Sequence, residues 1–169
     1  LVPYALGQQV SFKKDFGPDL QKIDLKILNE AKKEAFLKKL NPVYETIKET
    51  KIKLSANNKD IIGFVGAPWT LLLYMLNRKS PKGGNFNVFQ KDKYVHDIML
   101  KLDEFLKIHI EAQIKSGASI IQIFDSWAGL LPEKDLEYFV YKPIKSLVDF
   151  IRQKESISIC FPRNINNYK

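Results

Sequence analysis

Apolar positions along this chain follow two periods. Between 92 and 116, Val95, Ile98, Met99, Leu102, Phe105, Leu106, Ile110 and Ile114 recur three or four residues apart, which predicts a long amphipathic helix. Gly117 follows as its C-terminal stop. The runs 60–65, 119–125 and 156–161 are short and nearly all apolar, the pattern of buried strands. The first runs through Gly66 and Pro68 directly into a helix over 70–78, with Pro68 in its first turn, where a missing N–H costs nothing. Tyr74 falls four residues after Thr70, so both project from one helical face, at the end where the strand delivers them.

The flanking pattern is less regular. Residues 1–10 read as the exit of a strand into a loop, punctuated by Pro3 and Gly7, and 11–19 continue as loop to Phe16, Gly17 and Pro18. Leu20, Ile23, Ile27 and Leu28 have helix-like spacing, short or irregular. A lysine-rich helix over 34–40 stops at Asn41-Pro42, a cap followed by a first-turn proline, and a second helix carries Val43, Ile47, Lys51 and Leu54 on one face to about Asn57-Asn58. Residues 79–84 form a surface loop. Pro132 opens a helical segment with Tyr138, Phe139 and Tyr141, and Pro143 restarts it with Ile144, Leu147, Val148 and Ile151 on one face. Strands joined by helical crossovers predict a parallel sheet covered by helices. Three strands leave two open edges, so the expectation is that further strands lie outside this sequence, cut at both ends.

Composition narrows the partners. The 169 residues suffice for one domain with a core, and 45% hydrophobic residues exclude wholesale disorder. Net charge is +8, yet only Arg78, Arg152 and Arg163 among 27 cations are arginine, which argues against a nucleic-acid interface and fits an anionic small molecule or a lysine-rich background equally well. Cys160 stands alone, so no disulfide forms within the chain, and it reads as a small buried strand residue. The longest apolar run, 69–76, is far shorter than the roughly 20 residues of a membrane span. His96 and His109, on one helix, do not converge on a metal, and His109 beside the apolar stripe reads as a satisfied core imidazole. Lys82-Gly83-Gly84 lacks the spacing of a phosphate loop.

Two strand ends hold the informative chemistry: Phe64-Val65-Gly66-Ala67-Pro68-Trp69 and Phe124-Asp125-Ser126-Trp127-Ala128-Gly129. Aromatic, small and hydroxyl residues together suit a flat ligand held by stacking and a few hydrogen bonds. Equally, Phe64 and Phe124 fit plain core, Asp125 and Ser126 fit caps of the following turn, and Trp69 and Trp127 fit packing. Gly63 and Gly66 admit either a close approach to the backbone or a positive φ.

These stretches carry a resemblance. Gly63-Phe64-Val65-Gly66-Ala67-Pro68-Trp69-Thr70-Leu71 with Tyr74-Met75 resembles the central signature of the uroporphyrinogen decarboxylase family. Leu1 to Gly7, Gly17-Pro18, Ala112 to Ala118 and Ile123 to Gly129 resemble further stretches of that family in the same order, so the resemblance covers nearly the whole chain. It implies an α/β fold, a partial (β/α)8 TIM barrel with about strands 3 to 5 and their helices, and residues 1–169 as a fragment of that single barrel domain truncated at both ends. The implied activity is cofactor-free decarboxylation of the four acetate side chains of uroporphyrinogen III to coproporphyrinogen III in haem biosynthesis, by a cytoplasmic homodimer that binds neither nucleic acid nor membrane. Tyr74 matches the family's catalytic tyrosine, which hydrogen-bonds a substrate carboxylate. Ser126 matches a substrate-contacting hydroxyl, and Phe64 and Phe124 match residues lining the macrocycle's cleft. The family's cleft aspartate, arginine signature and late histidine have no counterpart in this chain, so the resemblance implies that these residues alone are inactive. The alternatives at this point are a corrinoid-linked methyltransferase on the same barrel, against which Pro68-Trp69 and Tyr74-Met75 count, or an inactive interaction fragment.

Overall fold

The computed structural model describes residues 1–13, 17–54, 59–81 and 92–165; the expected helix end at Asn57-Asn58 and the Lys82-Gly83-Gly84 reading lie outside them. Helix α1 (Val2–Ala5) leads into an antiparallel hairpin of β1 (Val10–Lys13) and β2 (Gly17–Leu20), with Val10 opposite Leu20. The sequence predicts a strand exit and plain loop here. Pro3 instead sits in a first helical turn, and the hairpin is masked because β2 opens on Gly17-Pro18, a turn signal, although Val10 to Lys13 alternate apolar and polar. Helix α2 (Leu25–Asn29) is a single short turn capped by Asp24, whose carboxylate accepts from the backbone N–H groups of Lys26 and Ile27.

Helix α3 (Lys33–Leu54) runs unbroken through Pro42, so the expected stop at Asn41 does not occur. A proline inside a helix removes one backbone bond and crowds the preceding turn. The packing of Phe36, Leu40 and Tyr44, all buried and four residues apart, holds the helix across that defect. Val43 and Ile47, the expected apolar face, lie only partly buried at its flank. Pro143 behaves in the same way. Helix α6 (Glu133–Leu136), a π turn over 137–141 and α7 (Lys142–Gln153) are continuous. The widened turn falls where the proline ring would otherwise meet the carbonyl of the residue four before it.

The three apolar runs pair as expected. Strands β3 (Ile62–Gly66), β4 (Ile120–Asp125) and β5 (Ile157–Pro162) form one parallel sheet in that order, with Gly66 beside Phe124 and Phe124 beside Phe161. Between β3 and β4 the chain crosses over through α4 (Pro68–Asn77) and α5 (Lys93–Lys115), which begins at the Asp92 cap and stops before Gly117, where φ is +113°. Along each inner strand the residues alternate: Val65, Ile121 and Ile123 are buried under the helices, whereas Ile62, Phe64 and Phe124 face the uncovered side. Cys160 corrects its expectation. It lies on β5, which has no neighbour on its far side among the described residues, and its thiol is exposed.

Gly63 has an ordinary φ and owes its place to close approach. A Cβ there would lie 2.6 Å from the Gln113 side-chain oxygen and about 3 Å from Ala118 and Ile121. The buried Gln113 amide uses that space to accept from the Phe64 N–H at 3.1 Å and to donate to the Phe64 carbonyl at 3.2 Å.

His109 is buried, as its place beside the apolar stripe predicts, with Nδ1 2.9 Å from the Tyr44 hydroxyl. Burial pushes the Tyr44 phenol up to about 12 and the imidazole down to about 4. Unfolded, the same imidazole takes up its proton near 6.5. Between those values the unfolded chain binds the extra proton, so His109 favours folding fully above pH 6.5 and loses that contribution as the pH falls to 4. The shift corresponds to about 3 kcal/mol. We expect His109→Gln to flatten the fall in denaturation midpoint between pH 7 and 4.5 relative to the native sequence; parallel profiles would refute a role for His109.

Candidate active site

The residues singled out at the two strand ends do meet. Phe64 and Phe124 stand edge to face, 5.9 Å between ring centroids, on the sheet face without helices. Phe161 extends the row, 6.5 Å from Phe124, and was not singled out by sequence. Its signal was available: it closes the last strand before a proline, as Phe64 and Phe124 close theirs within two residues of a small-residue turn. Phe64 and Phe161 are 65% and 52% exposed and Phe124 is 36% exposed, so the row is open on this face among the described residues. Such a row offers π faces to a flat, largely apolar ligand.

Hydroxyl-bearing residues lie around the C-terminal end of β4, where β/α barrels keep their ligands. Helix α4 delivers Tyr74, half-buried, with its ring 6.5 Å from that of Trp127. Ser126, also half-buried, lies in the turn that leaves β4. Three hydrogen bonds join this turn to the start of α4. Ala67 N–H donates to the Phe124 carbonyl at 2.8 Å, Thr70 Oγ1 donates to Asp125 Oδ1 at 2.6 Å, and Trp69 Nε1 donates to the Trp127 carbonyl at 2.9 Å. On the other side, Arg163 N–H donates to the Asp125 carbonyl and ties the turn to the exit of β5. Ser126 is thus held between two anchored neighbours.

The far end of α4 is anchored as well. The Gln8 side-chain amide donates to the Met75 and Gln21 carbonyls at 2.9 and 2.8 Å. Arg78 adopts a left-handed conformation that ends the helix, its Nε donates to the Leu20 carbonyl, and Leu20 N–H donates back to the Arg78 carbonyl. The hairpin that sequence reads as loop therefore braces the helix that carries Tyr74.

Asp125 is more than the turn cap its sequence suggests. It is completely buried, on the helix side of the sheet, and its second carboxylate oxygen has no hydrogen-bond partner among the described residues. Burial pushes its carboxyl up to about 6, although the Thr70 hydroxyl and the Trp127 backbone amide pull the other way. Among the described residues no group of three or more His, Cys, Asp or Glu is placed to hold a metal, and no helix is long and apolar enough to cross a membrane.

A parallel β/α sheet with helices on one face and aromatic and hydroxyl residues around its strand ends is part of a (β/α)8 barrel. The comparisons agree on the fold: a methyltransferase from Methanosarcina mazei superimposes with a TM-score of 0.69 at 20% identity, over 94% of this chain and 47% of that one. Sequence comparison is more specific. The uroporphyrinogen decarboxylase family model matches residues 1–168, and the chain belongs to that family. A uroporphyrinogen decarboxylase of Campylobacter fetus subsp. fetus is 35% identical over 99% of this chain and 51% of its own length. One of Rickettsia bellii is 39% identical over 90% and 45%. The chain spans about half the length of the curated relatives it matches.

Proposed function

We propose that the protein carrying this chain is a uroporphyrinogen decarboxylase and that these residues form one side of its cleft. The observation that carries the reading is the row Phe64, Phe124 and Phe161, exposed on the helix-free face, with Ser126 two residues beyond Phe124 and Tyr74 in ring contact with the next residue, Trp127. A tetrapyrrole presents both a large ring surface for such a row and ionised side chains for hydroxyl donors at its rim. Tyr74 donates its phenol proton to a substrate carboxylate, a charge-assisted bond that holds and orients, and Ser126 contacts a neighbouring side chain. Phe64 and Phe124 line the cleft. Each acetate side chain then loses its carboxylate as carbon dioxide, and the electron pair left on its methylene carbon takes up a proton to give a methyl group, without a cofactor. The net charge of +8 favours capture of a polycarboxylate. The same reading makes the protein a cytoplasmic homodimer that engages neither nucleic acid nor membrane.

The test is direct. The product of the complete open reading frame, given uroporphyrinogen III under reducing conditions with a metal chelator, is expected to release carbon dioxide and accumulate coproporphyrinogen III through partly decarboxylated intermediates. Recovery of unchanged uroporphyrinogen from well-folded protein would overturn the assignment.

A further inference from the structure

We propose that the buried Thr70–Asp125 pair is a positioning latch, which sets Tyr74 against Ser126 by fixing the start of α4 to the end of β4. The inference rests on the reading of Tyr74 and Ser126 given above. Thr70 lies one helical turn before Tyr74 on the same face of α4, and Asp125 immediately precedes Ser126. A single hydrogen bond of 2.6 Å between two buried side chains therefore spans the elements that carry the two hydroxyl groups. It sits on the side of the sheet opposite the aromatic row, since Phe124 and Asp125 alternate along β4, so neither partner is itself exposed to a ligand.

The choice of groups argues against a purely stabilising role. A carboxylate taken fully out of water is costly unless both oxygens are compensated, and Asp125 Oδ2 has no partner among the described residues. Two apolar residues of similar volume would fill the same space at less cost. What the polar pair supplies is direction. The other ties across this junction, from Ala67 and Trp69, hold the first residues of α4 and the Trp127 carbonyl. Among the described residues, the Thr70–Asp125 bond is the one that joins a side chain on the Tyr74 face to the residue beside Ser126. Small errors in such placement are expensive, because a displacement of about 1 Å can lower turnover by about a hundredfold.

The complete protein separates the outcomes. Thr70→Val, isosteric but without the hydroxyl, is expected to lower kcat/KM for uroporphyrinogen by about ten- to a hundredfold, and Thr70→Ser to restore it. The double variant Thr70→Val/Asp125→Leu is expected to melt no lower than Thr70→Val while its turnover stays low, because the buried charge is gone but the latch is not rebuilt. Combined with Tyr74→Phe, Thr70→Val is expected to add little further loss, since both act through one hydroxyl. Native turnover in Thr70→Val, or recovery of turnover along with melting temperature in the double variant, would overturn the latch. So would full additivity with Tyr74→Phe. If Tyr74→Phe itself turns over normally, the reading of the cleft fails; if Tyr74→Phe is impaired and Thr70→Val is native, only the latch does.

Discussion

Trp69→Ala is expected to cost about 3–5 kcal/mol of folding stability, the largest effect of any single truncation at this site. The indole is 1% exposed and packs against Phe139 with ring centroids 5.1 Å apart, so alanine leaves a cavity beneath the sheet end that rigid elements cannot close. It also removes the Nε1 bond to the Trp127 carbonyl, one of the three ties that hold the Ser126 turn. Denaturant unfolding of the complete protein reads the shift in midpoint, and Trp69→Phe should recover part of the packing but not the tie. A loss below about 1 kcal/mol would mean the site collapses without consequence, contrary to the packing described.

Tyr74→Phe is expected to act on turnover instead. Losing a hydrogen bond to an ionised group costs roughly 1.5–3 kcal/mol, which corresponds to about a ten- to 150-fold fall in kcat/KM. The ring and its contact with Trp127 survive the substitution, so the melting temperature should barely move. Unchanged formation of coproporphyrinogen and its intermediates would remove Tyr74 from the mechanism. The pair of variants thus separates a residue that builds the site from one that uses it, within a single turn and a half of α4.

Much of this arrangement was legible before any coordinates. The stripe from Val95 to Ile114 is long enough for helical periodicity to be unambiguous, and the short apolar runs bounded by turn residues do form strands, although β5 carries no buried residue. Thr70 and Tyr74 at four-residue spacing do share a face. What escaped depends on the tertiary setting. Pro42 and Pro143 carry strong local signals for a helix start, yet packed apolar faces and a widened turn override them. The β1–β2 hairpin is hidden by its second strand, where Gly17-Pro18 gives a turn signal, and the four alternating residues of β1 are too few to stand out alone. Asp125 looks like any turn-forming aspartate because sequence does not reveal which side of a strand end is roofed by a helix. Cys160 reads as buried because a free cysteine in an apolar strand run usually is, yet it lies on a strand without a buried residue.

The amide of Gln113 at the edge of β3 has a consequence for how the sheet grows. The Ile61 carbonyl and the Ala67 N–H face β4, so by alternation those of Phe64 face outward, and Gln113 has already engaged both. A strand laid along that edge therefore finds one rung of the ladder taken. It can pair only on either side of the gap, whichever of its own residues comes to lie opposite. Gln113, admitted by the missing side chain of Gly63, thus acts as a stopper on one rung of that edge.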